Sequence, residues 1–280
     1  MKNWISRTKL LPTISLLLLS WCSLANNAAQ AAEGKRVALL IGVSDYQHLQ
    51  ILKNPVKDVR LLQTVFKNDL RFDDVITIEN PDRDKLAKAI AVFADKAQNA
   101  EAAVIYYSGH GMQNAQRRNY LIPKDKQIDS DADLKANAIP ADDLVEALAG
   151  AKIKLVILDA CRDTPNGKKG GSKGLARMNG ENEGLLIAYA TEEGKTAEDG
   201  NGDNSPYAKA LATHLKSNKP ILAQFDAVAR TVRQEIPTQK PQRYGNLETD
   251  VYLSPFGKMP ATNTKPEPLT TSNRPGQPAA

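Results

Sequence analysis

Ala102-Ala103-Val104-Ile105-Tyr106-Tyr107-Ser108-Gly109-His110-Gly111 and Ile153-Lys154-Leu155-Val156-Ile157-Leu158-Asp159-Ala160-Cys161-Arg162 decide the fold. Each is a short, mainly apolar run that closes on a chemically loaded motif. Continuous apolar runs of this length suit strands covered on both faces, as in a parallel sheet. Two such strands side by side, one ending at Tyr107 and the other at Leu158, put an imidazole and a thiol at one sheet edge. Ligands of open α/β sheets collect at the carboxyl ends of the strands. A thiol beside an imidazole there is the layout of a cysteine hydrolase.

Working outward, Arg36 to Val43 is a third buried strand, followed by Asn54-Pro55 as helix cap and first helical residue. The apolar spacing Val59, Leu62, Val65, Phe66 carries that helix to about Asp69. Val75 to Ile78 reads as a strand and Asp82 to Ala97 as an amphipathic helix. Beyond Gly111 the chain is polar apart from Tyr120-Leu121-Ile122-Pro123. Pro140 to Ala149 reads as a third helix with Asp142 and Asp143 in its first turn. Thr164 to Glu183, rich in Gly, Lys and Asn, reads as a long mobile loop. Gly184 to Ala190 is a strand, Ser205-Pro206 to Leu215 and Phe225 to Ile236 are helices, and Thr249 to Leu253 is a closing strand. Strands alternating with helices imply an α/β domain with a mostly parallel central sheet of about six strands flanked by helices.

That domain occupies about 34–254 of the 280 residues. Residues 1–31 have the form of a signal peptide: Lys2, Arg7 and Lys9 precede the apolar Leu10 to Leu19, and Ala29-Gln30-Ala31 offers a cleavage site. The expectation is an exported protein, periplasmic or secreted, with no membrane span in its mature form. The segment 255–280 is dense in Pro, Thr, Asn and Lys and reads as a disordered tail. Losing the leader removes three of 37 basic residues and none of 32 acidic ones, so the formal charge falls from +5 to +2. No nucleic-acid footprint is expected from that balance. Cys22 also leaves, making Cys161 the sole cysteine and excluding an intrachain disulfide.

Glycines on both sides of His110 leave its ring unobstructed, and the Gly111 amide with that of Cys161 forms a candidate oxyanion hole. No third catalytic side chain is evident; a backbone carbonyl could orient the imidazole instead. His48 and His214 are isolated and read as surface or packing residues, so no metal site is expected.

Ser-Gly-His-Gly after one strand and Asp-Ala-Cys-Arg after another resemble the caspase-like cysteine peptidases (peptidase C14), most closely the prokaryotic metacaspase-like or orthocaspase branch. The resemblance spans about residues 35–253. It implies the caspase–hemoglobinase fold, a p20/p10-type domain that is usually monomeric in this branch, and peptide hydrolysis through an acyl-enzyme. Cys161 would attack and His110 would serve as acid and base. Asp159 matches a position where metacaspases line the S1 pocket with acid, and Asp58 matches a second pocket carboxylate. Two carboxylates would favour Arg or Lys at the cleavage position (P1) of peptide or protein substrates. Asp58 is also favourable in a first helical turn on dipole grounds alone. Asp163 is a third pocket candidate that could equally cap the following loop, and Thr196 to Glu198 falls where the family's substrate-binding loop runs.

Lys168, Lys169, Lys173 and Arg177 offer cleavable bonds in the 164–183 loop, so self-processing is a further expectation. No cofactor is required. Calcium dependence occurs among metacaspases, but Asp125, Asp129, Asp131 and Asp133 match no defined calcium loop. The competing reading is a catalytically silent caspase-like scaffold, disfavoured by the intact His110 and Cys161. A thiol redox enzyme is disfavoured by the missing resolving cysteine.

Overall fold

A computed structural model describes residues 34–163, 175–178, 182–193, 195, 197–200, 202–247 and 250–254, with the backbone alone for 161–163. The leader, most of the presumed self-processing loop and the tail lie outside the described residues. The first strand, β1 (Arg36–Gly42), leads into helix α1 (Pro55–Thr64), which continues as a wider π-turn over Val65–Asp69. β2 (Asp74–Glu79), α2 (Arg83–Ala97) and β3 (Ala102–Gln113) follow. After β4 (Asn119–Leu121), α3 (Asp131–Asn137), β5 (Ile139–Pro140) and α4 (Asp142–Ala147) comes the second key strand, β6 (Ile153–Asp163). β7 (Leu185–Tyr189), α5 (Pro206–His214), α6 (Ile221–Glu235) and β8 (Gln242–Asn246) complete the domain.

Among the described residues the sheet has eight strands, six of them on the path β2-β1-β3-β6-β7-β8. The pairings from β2 to β7 are parallel; β8 is antiparallel to β7, and β4 and β5 add antiparallel pairings beside β3. The period-2 alternation of each central strand supplies both faces. Val37, Leu39 and Ile41 enter a core with Leu86, Ile90 and Phe93 of α2 and Leu144 of α4. Ala38 and Leu40 enter the opposite core with Leu62, Phe66, Tyr207 and Phe225. This is the doubly covered α/β architecture expected from the sequence.

Several boundaries differ. β3 and β6 do not stop at Tyr107 and Leu158 but run on to Gln113 and Asp163. Gly and polar residues carry no apolar pattern, so the partners that extend the strands are invisible locally. The closing strand is β8, not Thr249 to Leu253. Val251 and Leu253 are buried, but the Val251 carbonyl accepts the Ile221 amide at 2.7 Å instead of joining the sheet. Asn54 occupies the N-cap position without a side-chain cap, and α3 lies in the stretch that the sequence marked only as polar. α6 begins at Ile221, four residues before the expected Phe225. The third helix is shorter than expected because Pro140 joins β5. The loop after β6 is also not mobile throughout. Leu175, Ala176 and Met178 are buried, and Asn119 clamps Ala176 by exchanging hydrogen bonds with its amide and carbonyl at 2.7 and 2.8 Å.

Candidate active site

β3 and β6 stay in register to the Met112–Asp163 pair, which sets His110 directly opposite Cys161. β1 stops pairing at Ser108 and β7 at Leu158. The His110–Cys161 pair therefore stands on an extension of β3 and β6 beyond the carboxyl end of the parallel sheet, where such folds bind ligands, with β4 pairing β3 from Gly111 onward. The side chains of Cys161, Arg162 and Asp163 lie outside the described residues.

His110 is 2% exposed and held from four directions. Its amide donates to the Tyr46 hydroxyl at 2.7 Å, and its carbonyl accepts the Tyr107 hydroxyl at 2.7 Å. The Tyr46 ring packs against the imidazole, centroids 4.5 Å apart and the planes tilted by 56°. The fourth contact is Nε2 to the Gln50 carbonyl at 2.8 Å. A carbonyl only accepts, so Nε2 carries the proton of the neutral ring and Nδ1 is left as the basic nitrogen. The orienting group is thus a backbone carbonyl, as the absence of a third side chain implied. Gly109 makes this seat possible. A Cβ there would fall 2.6 Å from the Tyr46 hydroxyl and 2.9 Å from that of Tyr107. The glycine admits the two hydroxyls that hold its neighbour.

The Ile153 amide donates to Glu101 at 3.0 Å, which fixes the ladder's alternation. Odd-numbered amides of β3 and β6 then face one another across the seam. Gly111 and Cys161 both belong to that set, with Gly111 one step beyond the His110–Cys161 pair. The two amides are gathered in one place, but as ladder donors. Serving an oxyanion requires the ladder to part from the Cys161 amide onward.

Two residues before Cys161, or about 6.6 Å back along the strand, Asp159 sits opposite Ser108. Its Oδ2 accepts the Ser205 hydroxyl at 2.6 Å and the Tyr106 hydroxyl at 3.1 Å. Asp58, from the first turn of α1, meets the same serine: its Oδ1 accepts the Ser205 amide and Asn204 Nδ2, both at 2.9 Å. Ser205 thus bridges the two carboxylates while its hydroxyl oxygen caps α5 by accepting the Ala208 amide. Asp199 supports the site from the preceding segment. Its Oδ2 accepts the Lys53 amide, its carbonyl accepts Asn54 Nδ2, and its charge acts on both buried acids. Among the described residues neither Asp58 nor Asp159 has an ion-pair partner. Asp58 Oδ2 and Asn54 Oδ1, one helical turn apart, are buried acceptors without a donor.

Burial pushes the Asp58 carboxyl up to about 6, against the hydrogen bonds from Asn204 and Ser205. Burial, then the charge of Asp58, pushes Asp159 up to about 7. The N-termini of α1 and α5 favour negative charge, but desolvation of two adjacent acids outweighs them. Between about pH 4 and pH 7 the folded chain therefore binds more protons than the unfolded chain, and stability falls as pH rises through that window. The thermal midpoint is expected to drop from pH 5 to pH 8. The drop should shrink in an Asp58→Asn/Asp159→Asn double variant; an unchanged pH dependence would show that the pair does not titrate there.

Asp163 is four residues beyond Asp159 on an extended strand, about 13 Å away at 3.3 Å per residue. The backbone does not bring it to the pair. His48 is exposed, and His214 meets Thr231 at 2.8 Å. Asp125 and Asp131 accept the amides of Arg83 and Ala115, and Asp133 accepts the Ser130 hydroxyl and the Asp129 amide. Asp129 accepts Gln127 Nε2. Among the described residues no group of three His, Cys, Asp or Glu could hold a metal ion, and no helix is long and apolar enough to cross a membrane. Thr196 lies outside the described residues, while the Glu198 amide donates to Gln239 Oε1.

Tyr46, Gln50, Asp199 and Ser205 were not singled out from the sequence. Only Ser205 carried a signal, as the start of a Ser-Pro helix.

Comparison with known proteins agrees with the fold. No curated protein sequence matches the chain. Among solved structures, caspase-1 from Spodoptera frugiperda superposes with a TM-score of 0.58 at 20% identity, over 79% of this chain and 90% of that one. At that identity the likeness establishes the caspase-like fold. The profile of the caspase domain (Peptidase_C14) matches residues 35–252, from β1 to past the final strand, and the chain belongs to that peptidase family.

Proposed function

We propose that this chain is a metacaspase-like cysteine endopeptidase that hydrolyses peptide bonds after Arg or Lys. The observation carrying the specificity is the Asp58–Asp159 pair: two buried carboxylates joined by Ser205, with no ion-pair partner among the described residues and with acceptors left over at Asp58 Oδ2 and Asn54 Oδ1. A guanidinium offers five donors and a fixed positive charge, which this set lacks. Asp159 retains 6% exposure and Asp58 none, so the cation enters from the Asp159 side, toward Cys161.

In the proposed reaction His110 takes the Cys161 proton and the thiolate attacks the scissile carbonyl carbon. The carbonyl oxygen becomes an oxyanion, which the Gly111 and Cys161 amides receive once they leave the β3–β6 ladder. His110 then protonates the departing amine as the C–N bond breaks, leaving a thioester. Water, deprotonated by His110, cleaves the thioester, releases the new carboxyl terminus and restores the thiol.

The complete burial of Asp58 favours a second reading, in which the pair is a structural, proton-sharing link between α1, β6 and α5. Fluorogenic peptides differing only in Arg, Lys, citrulline or Asp at P1, assayed under reducing conditions with and without calcium, separate the two. The expected result is turnover of the Arg and Lys peptides alone, abolished in Cys161→Ala. Turnover that ignores the P1 charge would leave the pair a structural role; no turnover of any peptide would favour the silent scaffold. Wild-type chains that stay full length, like Cys161→Ala, would rule out self-processing.

A further inference from the structure

Residues 175–178 belong to no helix or strand, so their buried backbone groups need partners from elsewhere. Side chains supply them. Asn119 of β4 takes both groups of Ala176: Oδ1 accepts the amide at 2.7 Å and Nδ2 donates to the carbonyl at 2.8 Å. From β7, the Tyr189 hydroxyl accepts the Met178 amide at 3.0 Å and donates to the same Ala176 carbonyl at 3.4 Å. The Arg177 guanidinium lies over the Tyr244 ring of β8, 4.4 Å from its centroid. In the sheet β4 lies beside β3, β7 lies beside β6, and β3 and β6 are neighbours. The segment is therefore a strap tied to strands on both sides of the two that carry His110 and Cys161. Leu175 and Met178 share one core with Met112 of β3 and with Ala160 of β6, the residue before the nucleophile.

Resting on the peptidase reading above, we propose that Asn119 is a positioning residue: through the strap it holds the strand of His110 against the strand of Cys161. The need for such a tie follows from the ladder. β1 last pairs with β3 at Ser108, and β7 last pairs with β6 at Leu158. Beyond those points, among the described residues, β6 pairs with β3 alone and β3 with β6 and β4. When the ladder parts from the Cys161 amide onward to serve an oxyanion, the dyad strands lose their mutual hydrogen bonds where the chemistry occurs. The strap is outside the ladder and remains. Asn119 pairs with Gln113, and Leu121 of the same strand pairs with Gly111, so the grip of Asn119 on Ala176 acts on the His110 side. Tyr189 pairs with Leu158, so its grip on Ala176 and Met178 acts on the Cys161 side. A carboxamide suits the role because it offers an acceptor and a donor to one peptide unit at once.

The test uses the full chain and two readouts: kcat and KM on an Arg peptide, and the pH profile of iodoacetamide alkylation at Cys161, mapped by mass spectrometry. Asn119→Ala is expected to lower kcat by about tenfold with little change in KM, since displacing a reacting group by about 1 Å can cost about 100-fold. The alkylation profile should shift to higher pH, because a thiolate further from the imidazole is less stabilised. A purely structural asparagine would lower the thermal midpoint and leave that profile in place. Asn119→Asp is the conservative control. A protonated Asp side chain carries a donor and an acceptor, as Asn does, whereas the carboxylate only accepts. Its kcat should approach that of the wild type at low pH and fall away from it as pH rises. An unshifted alkylation profile in Asn119→Ala, or an Asn119→Asp to wild-type ratio that stays flat with pH, would overturn the proposal while the peptidase reading stands. If Asn119→Ala does not fold, the Asn119→Asp ratio decides alone. Wild-type chain that turns over no peptide would overturn the peptidase reading, and the role of Asn119 would then stand or fall on the alkylation profile.

Discussion

Asp159→Asn is expected to lower kcat/KM for Arg peptides by about 100-fold or more, while thermal stability at pH 8 rises. Leaving a buried charge without its partner costs on the order of 2–5 kcal/mol, and each 1.4 kcal/mol is tenfold. In the variant the unpaired charge is the substrate's guanidinium, desolvated beside a neutral amide. The fold should tolerate the change, since the Asn oxygen can still accept the Ser205 and Tyr106 hydroxyls that now bond Asp159 Oδ2. Removing one of two adjacent buried acids also removes their repulsion, which is why stability and activity should move in opposite directions. Asp58→Asn should follow the same pattern. The decisive measurement is the Arg-to-citrulline ratio in kcat/KM, because citrulline keeps the shape of arginine without its charge. A ratio near one in the wild type, or a ratio unaltered in Asp159→Asn, would remove the carboxylate pair from substrate recognition.

The parts of this site that were legible in the sequence sit next to a motif. Asp159 could be found because it lies two residues before Cys161, and Asp58 because it opens a helix of recognisable pattern. Ser205 is 46 residues from Asp159 in sequence and reaches it only because α5 packs against α1 on one face of the sheet. Its Ser-Pro signature announced a helix start and nothing about carboxylates. Asp199 and Gln50 act through a loop carboxylate and a main-chain carbonyl, for which sequence offers no pattern. The fold was more legible because apolar runs and helical spacing encode burial directly. Where the pattern failed, as in β8 and in the distal ends of β3 and β6, pairing depends on a partner strand and not on local apolarity.

Gly109→Ala is expected to lower kcat by about 100-fold with a much smaller change in KM. The added Cβ would meet the Tyr46 and Tyr107 hydroxyls at 2.6 and 2.9 Å, below any normal contact. The backbone at Gly109, with φ +156°, is also one that side chains rarely adopt. Both hydroxyls must retreat, and they are the groups that hold the His110 amide and carbonyl. Displacement of a reacting group by about 1 Å can cost 100-fold in rate, whereas the Asp58–Asp159 pair is fixed by α1, α5 and β6 and should still bind the substrate cation. Tyr46→Phe separates steric from tethering effects. Alone it removes the acceptor of the His110 amide and should lower kcat by about tenfold, the worth of one buried hydrogen bond. Added to Gly109→Ala it also removes the nearer clashing oxygen, so the double variant should be more active than the product of the two single effects predicts. Steady-state kinetics on the four proteins, with thermal unfolding to show that each is folded, complete the cycle. Wild-type kcat in Gly109→Ala would mean that the tyrosine hydroxyls do not position His110.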